Sequence, residues 1–257
     1  HVQGDPFATP SRIRARVDRK ASGLLPELTE HKSRQIALCD YLTRVFYNNC
    51  RQYSRGNRGT GTSGMITIDQ PGQEVLESTA MVVNDHFVEA RFFMGLPALG
   101  RRISGKTAVI MFFKELPEIV RHSLFFNDVD PVNLQTHFDV AVDAFVLRKK
   151  LNDLNLIVFV GNGSLLPRAS CINPAPMASA RAVRFQSPAD YKKEIQLPNS
   201  GGITGMAIPK GVTLIVGGGY HGKSTLLNAL ELGIYNHIPE DGRERVVTLP
   251  ETVKIRA

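Results

Sequence analysis

A glycine-rich loop at residues 217–224 constrains the fold more than any other feature of the sequence. It reads Gly-Gly-Gly-Tyr-His-Gly-Lys-Ser and fits the pattern G-x-x-x-x-G-K-[ST]. An apolar run at 212–216 precedes it directly, and the residues from Lys223 onward place apolar side chains on one face of a helix. The sequence therefore predicts a strand, a phosphate-binding loop and a helix in an α/β fold.

The residue types of this loop suit the phosphates of ATP. Glycines let backbone N–H groups turn inward around phosphate oxygens, and the helix N-terminus adds partial positive charge. We expect Lys223 to reach the β- and γ-phosphates, Ser224 to bind Mg²⁺ and Thr225 to bond the α-phosphate. His221 is interpreted either as a phosphate contact or as a solvated loop residue. The predicted nucleotide-binding residues are Gly217, Gly218, Gly219, Tyr220, His221, Gly222, Lys223, Ser224 and Thr225.

The same pattern occurs a second time, at residues 100–107. There, Gly95-Leu96-Pro97 separates the loop from the preceding apolar run, and Arg101 and Arg102 stand where a tight phosphate loop favours small residues. Context therefore favours 217–224 as the nucleotide site. The residues at 100–107 are interpreted as a basic helix entrance, which could still contact an anion.

Acidic residues for hydrolysis are not evident near the loop. A P-loop hydrolase needs an apolar strand that ends in Asp, usually followed by Glu, to hold Mg²⁺ and orient water. Only 33 residues follow Ser224, and none of them fits this description. The residues alone support nucleotide binding and leave hydrolysis unsupported.

Positive charge is concentrated in the first quarter of the chain. The formal net charge is +7, and residues 1–60 hold 11 Lys and Arg against 5 Asp and Glu. This asymmetry predicts a polyanion partner, nucleic acid first and an anionic membrane second. Arg12, Arg14 and Arg16 alternate, so they are predicted to share one face of a strand. The candidate RNA contacts are Arg12, Arg14, Arg16, Arg19, Lys20, Arg55, Arg58, Arg101 and Arg102.

Composition excludes several classes of protein. Cys39, Cys50 and Cys171 are widely spaced and form no CxxC pair, which argues against a disulfide framework and a Cys-rich zinc site. Three reduced thiols indicate an intracellular, reducing compartment. The longest apolar runs are far shorter than a membrane helix. The sequence therefore predicts neither a transmembrane, a collagen-like nor a disordered protein.

Periodicity and turn residues predict the remaining elements. We expect helices at about 33–46, 104–116 and 130–151, the second ending at Pro117. Strands are expected at 65–69, 80–83, 87–94, 156–160, 203–208, 212–216 and 253–257.

Residues 161–190 are rich in loops and prolines, and they are taken as the domain boundary. This predicts a basic α+β domain over 1–180 and the beginning of a nucleotide-binding domain over 181–257. The first residue is His1, so we expect that the native protein extends beyond both ends of this chain.

Several segments resemble those of the predicted ATPases of the ABC class. Residues 208–216, the glycine loop and Lys223-Ser224-Thr225-Leu226-Leu227 look like the start of an ABC-type cassette. The other matching segments lie at 1–8, 71–77, 88–92, 95–98, 235–239 and 241–244. The resemblance covers essentially the whole chain.

This resemblance implies a family-specific α+β N-terminal domain joined to an ABC-like ATPase domain that is incomplete in this chain. It implies a homodimer that hydrolyses ATP, with the magnesium-binding Asp and the catalytic Glu beyond residue 257. Tyr220 departs from ordinary ABC loops, which have glycine there. Asn173-Pro174 and the stretch 125–127 resemble a kinetoplastid branch of mitochondrial RNA-editing accessory proteins. That branch would imply RNA binding within an RNA-processing complex and a mitochondrial location; otherwise a cytoplasmic one is expected.

Three functions stay open on the sequence. The first is an ATPase that works on RNA without sequence-specific readout. The second is a P-loop kinase that acts on a small molecule. The third is a nucleotide-gated binding module with little turnover.

Overall fold

A computed structural model describes residues 1–255. The strands, in chain order, are β1 (Ser11–Asp18), β2 (Ile66–Thr67), β3 (Glu74–Val75), β4 (Met81–Val83), β5 (Phe87–Met94), β6 (Ala98–Leu99), β7 (Arg102–Ile103), β8 (Leu156–Gly161), β9 (Lys192–Leu197), β10 (Gly201–Pro209), β11 (Asn236–His237) and β12 (Val246–Thr248). The α-helices are α1 (Arg19–Ser22), α2 (Lys32–Tyr53), α3 (Gly105–Ile110), α4 (Leu116–Leu124), α5 (Pro131–Asp153) and α6 (Lys223–Leu232). A π-helical segment, Met111–Glu115, joins α3 to α4. This mixture of helices and sheets confirms the predicted α/β class.

The chain divides into two compact units. The first comprises His1–Pro71 and Glu77–Leu134, and the second comprises Gly72–Leu76 and Gln135–Ala257. The predicted domains, 1–180 and 181–257, stay a prediction. The main segment of the second compact unit begins at Gln135, earlier in the chain than the predicted boundary. The reason is that β8 pairs with β10 and that α5 packs against the same sheet, so β8 and most of α5 belong to the second unit.

In the first unit, β1, β5, β2 and β4 form an antiparallel sheet. β5 is central and pairs with each of the others. The predicted hairpin of β4 and β5 is confirmed, and Asn84 closes its turn by accepting hydrogen bonds from the N–H groups of His86 and Phe87 at 2.9 Å.

Helix α2 covers one face of this sheet. Its apolar residues Leu38, Leu42 and Phe46 are buried, and the rings of Phe46 and Phe92 lie 5.2 Å apart. The helix is longer than the predicted 33–46. Its period-3.6 apolar pattern continues to buried Cys50, which keeps the last turns packed.

The expectation that a helix ends at Pro117 is wrong. The helix passes through Pro117 and ends at Leu124. The N–H of Leu116 bonds the carbonyl of Met111, five residues back, as in a π-helix. This wider turn next to the proline accommodates a residue that has no N–H of its own to donate.

In the second unit, the antiparallel sheet has the order β12-β8-β10-β9. Helix α5 buries Leu147 and Leu151 in a core with Phe159 on one side of the sheet. On the other side, Ala229 and Leu230 of α6 pack in a separate core. Asp130 caps α5 as predicted, since its carboxylate accepts from the N–H groups of residues 132 and 133.

Two predicted strands are not found among the described residues. Residues 212–216 follow β10 as an unpaired segment, in which Val212, Leu214 and Val216 are exposed. A strand needs a neighbour to bond its backbone, and no strand among residues 1–255 pairs with this segment. Residues 253–255 are likewise unpaired, and the rest of the predicted strand at 253–257 lies outside the described residues.

Among the described residues, no helix combines the length and the hydropathy that crossing a bilayer requires.

Candidate functional site

The glycine loop at 217–222 leads directly into α6, which begins at Lys223. Gly222 is the N-cap residue and has a φ of 80°, in the left-handed region where glycine is favoured. Tyr220, with a φ of 62°, also lies in this region and its side chain is fully exposed. The predicted loop and helix start are therefore confirmed as local structure.

Backbone donors at the start of α6 are free to bind an anion. No side chain caps the helix, and the first helical hydrogen bond runs from Leu226 N–H to the carbonyl of Gly222. The N–H groups of Lys223, Ser224 and Thr225 therefore have no acceptor among residues 1–255. Unpaired N–H groups and the helix dipole together favour a phosphate at this position.

Lys223 lies over the loop. Its Nζ donates to the carbonyl oxygens of Gly217 and Gly218, each at 2.5 Å. The ammonium group is therefore held at the first two glycines of the loop. A methyl group added at Gly219 or at Gly222 would meet nothing within 4 Å, so there is open space beside the backbone. Together these features fit a bound phosphate chain.

His221 lies against the first two glycines of the loop. A Cβ added at Gly218 would come within 3.3 Å of His221 Cε1, and one at Gly217 within 3.6 Å of Nδ1. The contact at Gly218 would be tight, so a small residue there helps to seat the imidazole ring, whereas a Cβ at Gly217 would be in ordinary contact with it. Whether this ring bonds a phosphate stays a prediction.

Ser224 lines a cavity of about 580 Å³ on the side of α6. Thr213, Ile215, Asn228 and Lys254 also line this cavity. Lys254 Nζ donates to Asn228 Oδ1 at 2.8 Å and pairs with Glu231. The hydroxyl of exposed Ser224 is the magnesium ligand predicted from the sequence, and it fits a hard, oxygen-preferring cation.

The second match to the pattern folds differently. Its residues 100–103 form the turn and second strand of the β6–β7 hairpin, in which Leu99 pairs with Arg102. The hydroxyls of Ser104 and Thr107 lie 2.8 Å apart, so Thr107 is already bonded. The geometry favours 217–224 as the phosphate loop, as the sequence context does.

The structure brings three of the predicted RNA contacts together. Arg12, Arg14 and Arg16 point to the exposed face of β1, as period two predicts. Arg16 donates to Glu89 Oε2 at 2.6 and 2.8 Å. Arg12 and Arg14 are exposed cations without a carboxylate within 4.0 Å among residues 1–255.

The other candidate cations lie on different elements. Arg19 is buried and donates to the carbonyls of Asn84 and Leu25, whereas Lys20 is exposed. Arg58 holds both carboxylate oxygens of buried Glu115, at 2.9 and 2.6 Å. Arg19 and Arg58 therefore stabilise the fold.

Three further candidates are exposed. Arg55 lies 4.0 Å from Glu115 and keeps most of its side chain in solvent. Arg101 and Arg102 are exposed at the turn of the β6–β7 hairpin. These three are accessible to a polyanion.

Comparison with known families assigns both units. A model for the N-terminal domain of ABC-class ATPases matches residues 1–127, and a model for their P-loop domain matches residues 130–257. Between them, the two models cover nearly the whole chain.

The chain belongs to the ABC-class ATPases.

The P-loop match assigns nucleotide binding to the domain that contains the glycine loop. An uncharacterized protein of Methanocaldococcus jannaschii is similar to this ABC-class ATPase, with 30% identity over 154 residues. The matched region covers 54% of this chain and 34% of the relative. The chain therefore spans about a third of the length of that relative.

Sequence reasoning missed the partners of the β1 arginines. Glu89 and Arg91, on β5, lie opposite Arg16 and Arg14. Burial alone would raise the pKa of Glu89, but hydrogen bonds from Arg91 and Arg16 outweigh it and hold the pKa below its usual value. The alternation of charged and apolar residues in β5 could have revealed the shared face, but not the strand that pairs with it.

A buried ion pair in the second unit was also missed. Arg168 donates to both carboxylate oxygens of Asp241, at 2.7 and 3.0 Å. Arg243 nearby is buried, and desolvation together with the charge of Arg168 lowers its pKa to about 10. The pair ties the segment at 241–243 to the loop after β8, which is a structural role.

Proposed function

We propose that this ABC-class ATPase binds ATP with Mg²⁺ at the 217–225 loop and uses the nucleotide to handle RNA on the basic N-terminal unit. The observation that carries the nucleotide step is the glycine loop itself, in which the first N–H groups of α6 are free and the ammonium of Lys223 turns back to the loop. The RNA step is supported by the exposed arginines of the first unit.

In this proposal the nucleotide competes with the loop's own carbonyls for Lys223. The ammonium would exchange the carbonyls of Gly217 and Gly218 for β- and γ-phosphate oxygens, and the free N–H groups of the first turn of α6 would donate to phosphate oxygens as well. Ser224 would hold Mg²⁺, which when bound neutralises phosphate charge. The chain's own residues then fix the position of the phosphate chain.

RNA would be held through its phosphates, without readout of its sequence. Each arginine that neutralises a phosphate displaces a condensed cation, so binding weakens as salt increases. By its resemblance to the kinetoplastid branch, the protein would act in mitochondrial RNA editing or processing. It would do so as a homodimer within a larger complex.

RNA binding by the intact protein, titrated with salt in the presence and absence of ATP and Mg²⁺, tests this function. We expect salt-sensitive binding that changes with ATP, together with release of phosphate from ATP. Binding of ATP without turnover would instead indicate a nucleotide-gated binding module. ATP consumption that requires a small phosphate acceptor would indicate a kinase, and absence of RNA binding would remove the RNA step.

A further inference from the structure

The open face of the first unit's sheet carries arginines beside aromatic rings. In the antiparallel register of β1 and β5, Arg12 lies opposite Phe93, Arg14 opposite Arg91, and Arg16 opposite Glu89. The alternate residues of β5 lie on the other side of the sheet, where Val88, Ala90 and Phe92 are buried and Phe92 packs against Phe46 of α2. The arginine-bearing side of the sheet is thus the one that α2 leaves uncovered.

A single carboxylate forms ion pairs with two of the four arginines on this face. Glu89 is 1% exposed and accepts from Arg16 through Oε2 and from Arg91 through Oε1, at 2.6 to 2.8 Å. Within residues 1–255, Arg12 and Arg14 have no carboxylate close enough to form an ion pair. Arg14 also stands directly opposite Arg91, and like charges at such a position destabilise an antiparallel pair. A negatively charged ligand on this face would remove that repulsion.

The two aromatic rings on the face differ in availability. The guanidinium of Arg16 lies 3.8 Å from the centre of the Phe87 ring, so that ring is already covered by a cation. Phe93 is partly exposed between Arg12 on β1 and Thr67 on β2, and neither neighbour provides a ring. A planar group placed between the arginines could stack on Phe93.

We propose that this face, formed by Arg12, Arg14, Arg91 and Phe93, binds a single-stranded segment of RNA, with phosphates on the arginines and an unpaired base on Phe93. The proposal rests on the proposed function and deepens it. A flat sheet that combines cations with a stacking ring suits an unpaired strand, because every base presents a π-face whatever its sequence. A duplex hides its bases, so it could use only the arginines.

The test compares three variants of the intact protein by binding a single-stranded RNA over a range of salt concentrations. Arg14→Gln should weaken binding and reduce the slope of log affinity against log salt by about 0.7, the value for one phosphate contact on a single strand. Phe93→Leu should weaken binding roughly fivefold or more without changing that slope. Arg51→Gln, which removes an exposed arginine from α2, is the matched control and should leave binding nearly unchanged.

The outcomes separate this site from the wider function. If the unmodified protein binds no RNA, both the proposed RNA step and this binding site are excluded. If it binds RNA but Arg14→Gln behaves as Arg51→Gln does, RNA is bound elsewhere and only this site is excluded. Arg12→Gln provides a second test of the face should Phe93→Leu fail to fold, as judged by thermal denaturation.

Duplex RNA and polyglutamate complete the test. We expect the single strand to bind more tightly than a duplex of the same length, and the difference to vanish in Phe93→Leu. Equal affinity for both RNAs, or displacement of RNA by polyglutamate at equal charge concentration, would overturn stacking and leave a general polyanion surface.

Discussion

The two segments that match G-x-x-x-x-G-K-[ST] share a pattern but not a structure. At 217–224 the residues between the glycines form a loop whose lysine turns back over it. At 100–107 the equivalent residues form a hairpin, with Gly100 at a φ of 58° in a two-residue turn between β6 and β7. A positive φ at the first position of such a turn suits glycine. The first glycine of the pattern therefore lies in a hairpin turn in one segment and in an open loop in the other.

The pattern alone does not decide which of these two structures forms, because the flanking residues differ. Ala98 and Leu99 before the turn can pair with Arg102 and Ile103 after it, so the backbone groups of this segment bond one another. Among residues 1–255, the segment 217–222 has no such flanking pair, and its lysine donates back to the loop carbonyls. The first N–H groups of α3 and of α6 both lack a side-chain cap, so they do not distinguish the two segments. Each position of one match has an equivalent in the other, which provides matched variants.

The largest difference is expected at the two lysines. Lys223→Ala should lower ATP affinity about 100-fold or more, because a charged contact to phosphate is worth roughly 1.5–3 kcal/mol and this side chain would make two of them. Lys106→Ala should leave ATP affinity unchanged. Calorimetric titration with ATP and Mg²⁺ measures both. Equal losses in the two variants would mean that the wrong loop has been chosen.

The hydroxyl residues after the lysines should differ next. Ser224→Ala should remove the part of ATP affinity that depends on Mg²⁺, roughly tenfold for one contact to a charged group. Thr107→Ala should cost no ATP affinity, because its hydroxyl already bonds Ser104. The measurement is ATP titration with Mg²⁺ and with EDTA. A Ser224→Ala protein that keeps its full response to Mg²⁺ would contradict the assigned role.

The glycines before the lysines should respond with opposite signs. Gly222→Ala should lower the free energy of unfolding by about 1 kcal/mol, because its φ of 80° is unfavourable for a residue with a Cβ. Gly105 is the first residue of α3, and a Cβ added there would meet nothing within 4 Å. Gly105→Ala should therefore raise the free energy of unfolding by roughly 0.5 kcal/mol. Urea denaturation of each variant distinguishes the two, and equal changes would argue against a left-handed residue at 222.

The smallest effect is expected at Tyr220 and its equivalent, Ile103. Tyr220→Gly relieves a left-handed backbone conformation but increases the entropy of the unfolded chain, so we expect a gain in the free energy of unfolding of about 0.5 kcal/mol or less. Ile103→Gly weakens a strand and should lower it by about 1 kcal/mol. Urea denaturation again provides the measurement; a loss in Tyr220→Gly would show that the exposed ring makes a stabilising contact.

Much of the local structure was predictable from neighbouring residues. Asn84 before a hairpin and Asp130 before α5 were recognised because side-chain oxygens at these positions bond nearby N–H groups. Pro117 misled the prediction because the π-turn beside it, which lets the helix continue, leaves no simple mark in the sequence. The prediction of a strand at 212–216 was wrong because apolar residues indicate that a segment can pair but do not show which strand it would pair with.

The sequence by itself determined where the glycine loop lies and at which residue its helix begins, since glycine conformation and helix initiation depend on adjacent residues. It also determined that Arg12, Arg14 and Arg16 share a face, because side chains alternate along a strand. Only the tertiary structure decided that Arg14 lies opposite Arg91 across the two strands and that Glu89 forms an ion pair with Arg16. Antiparallel register joins residues more than seventy positions apart, and that register is fixed by which face of the strands is buried, which neighbouring residues do not show.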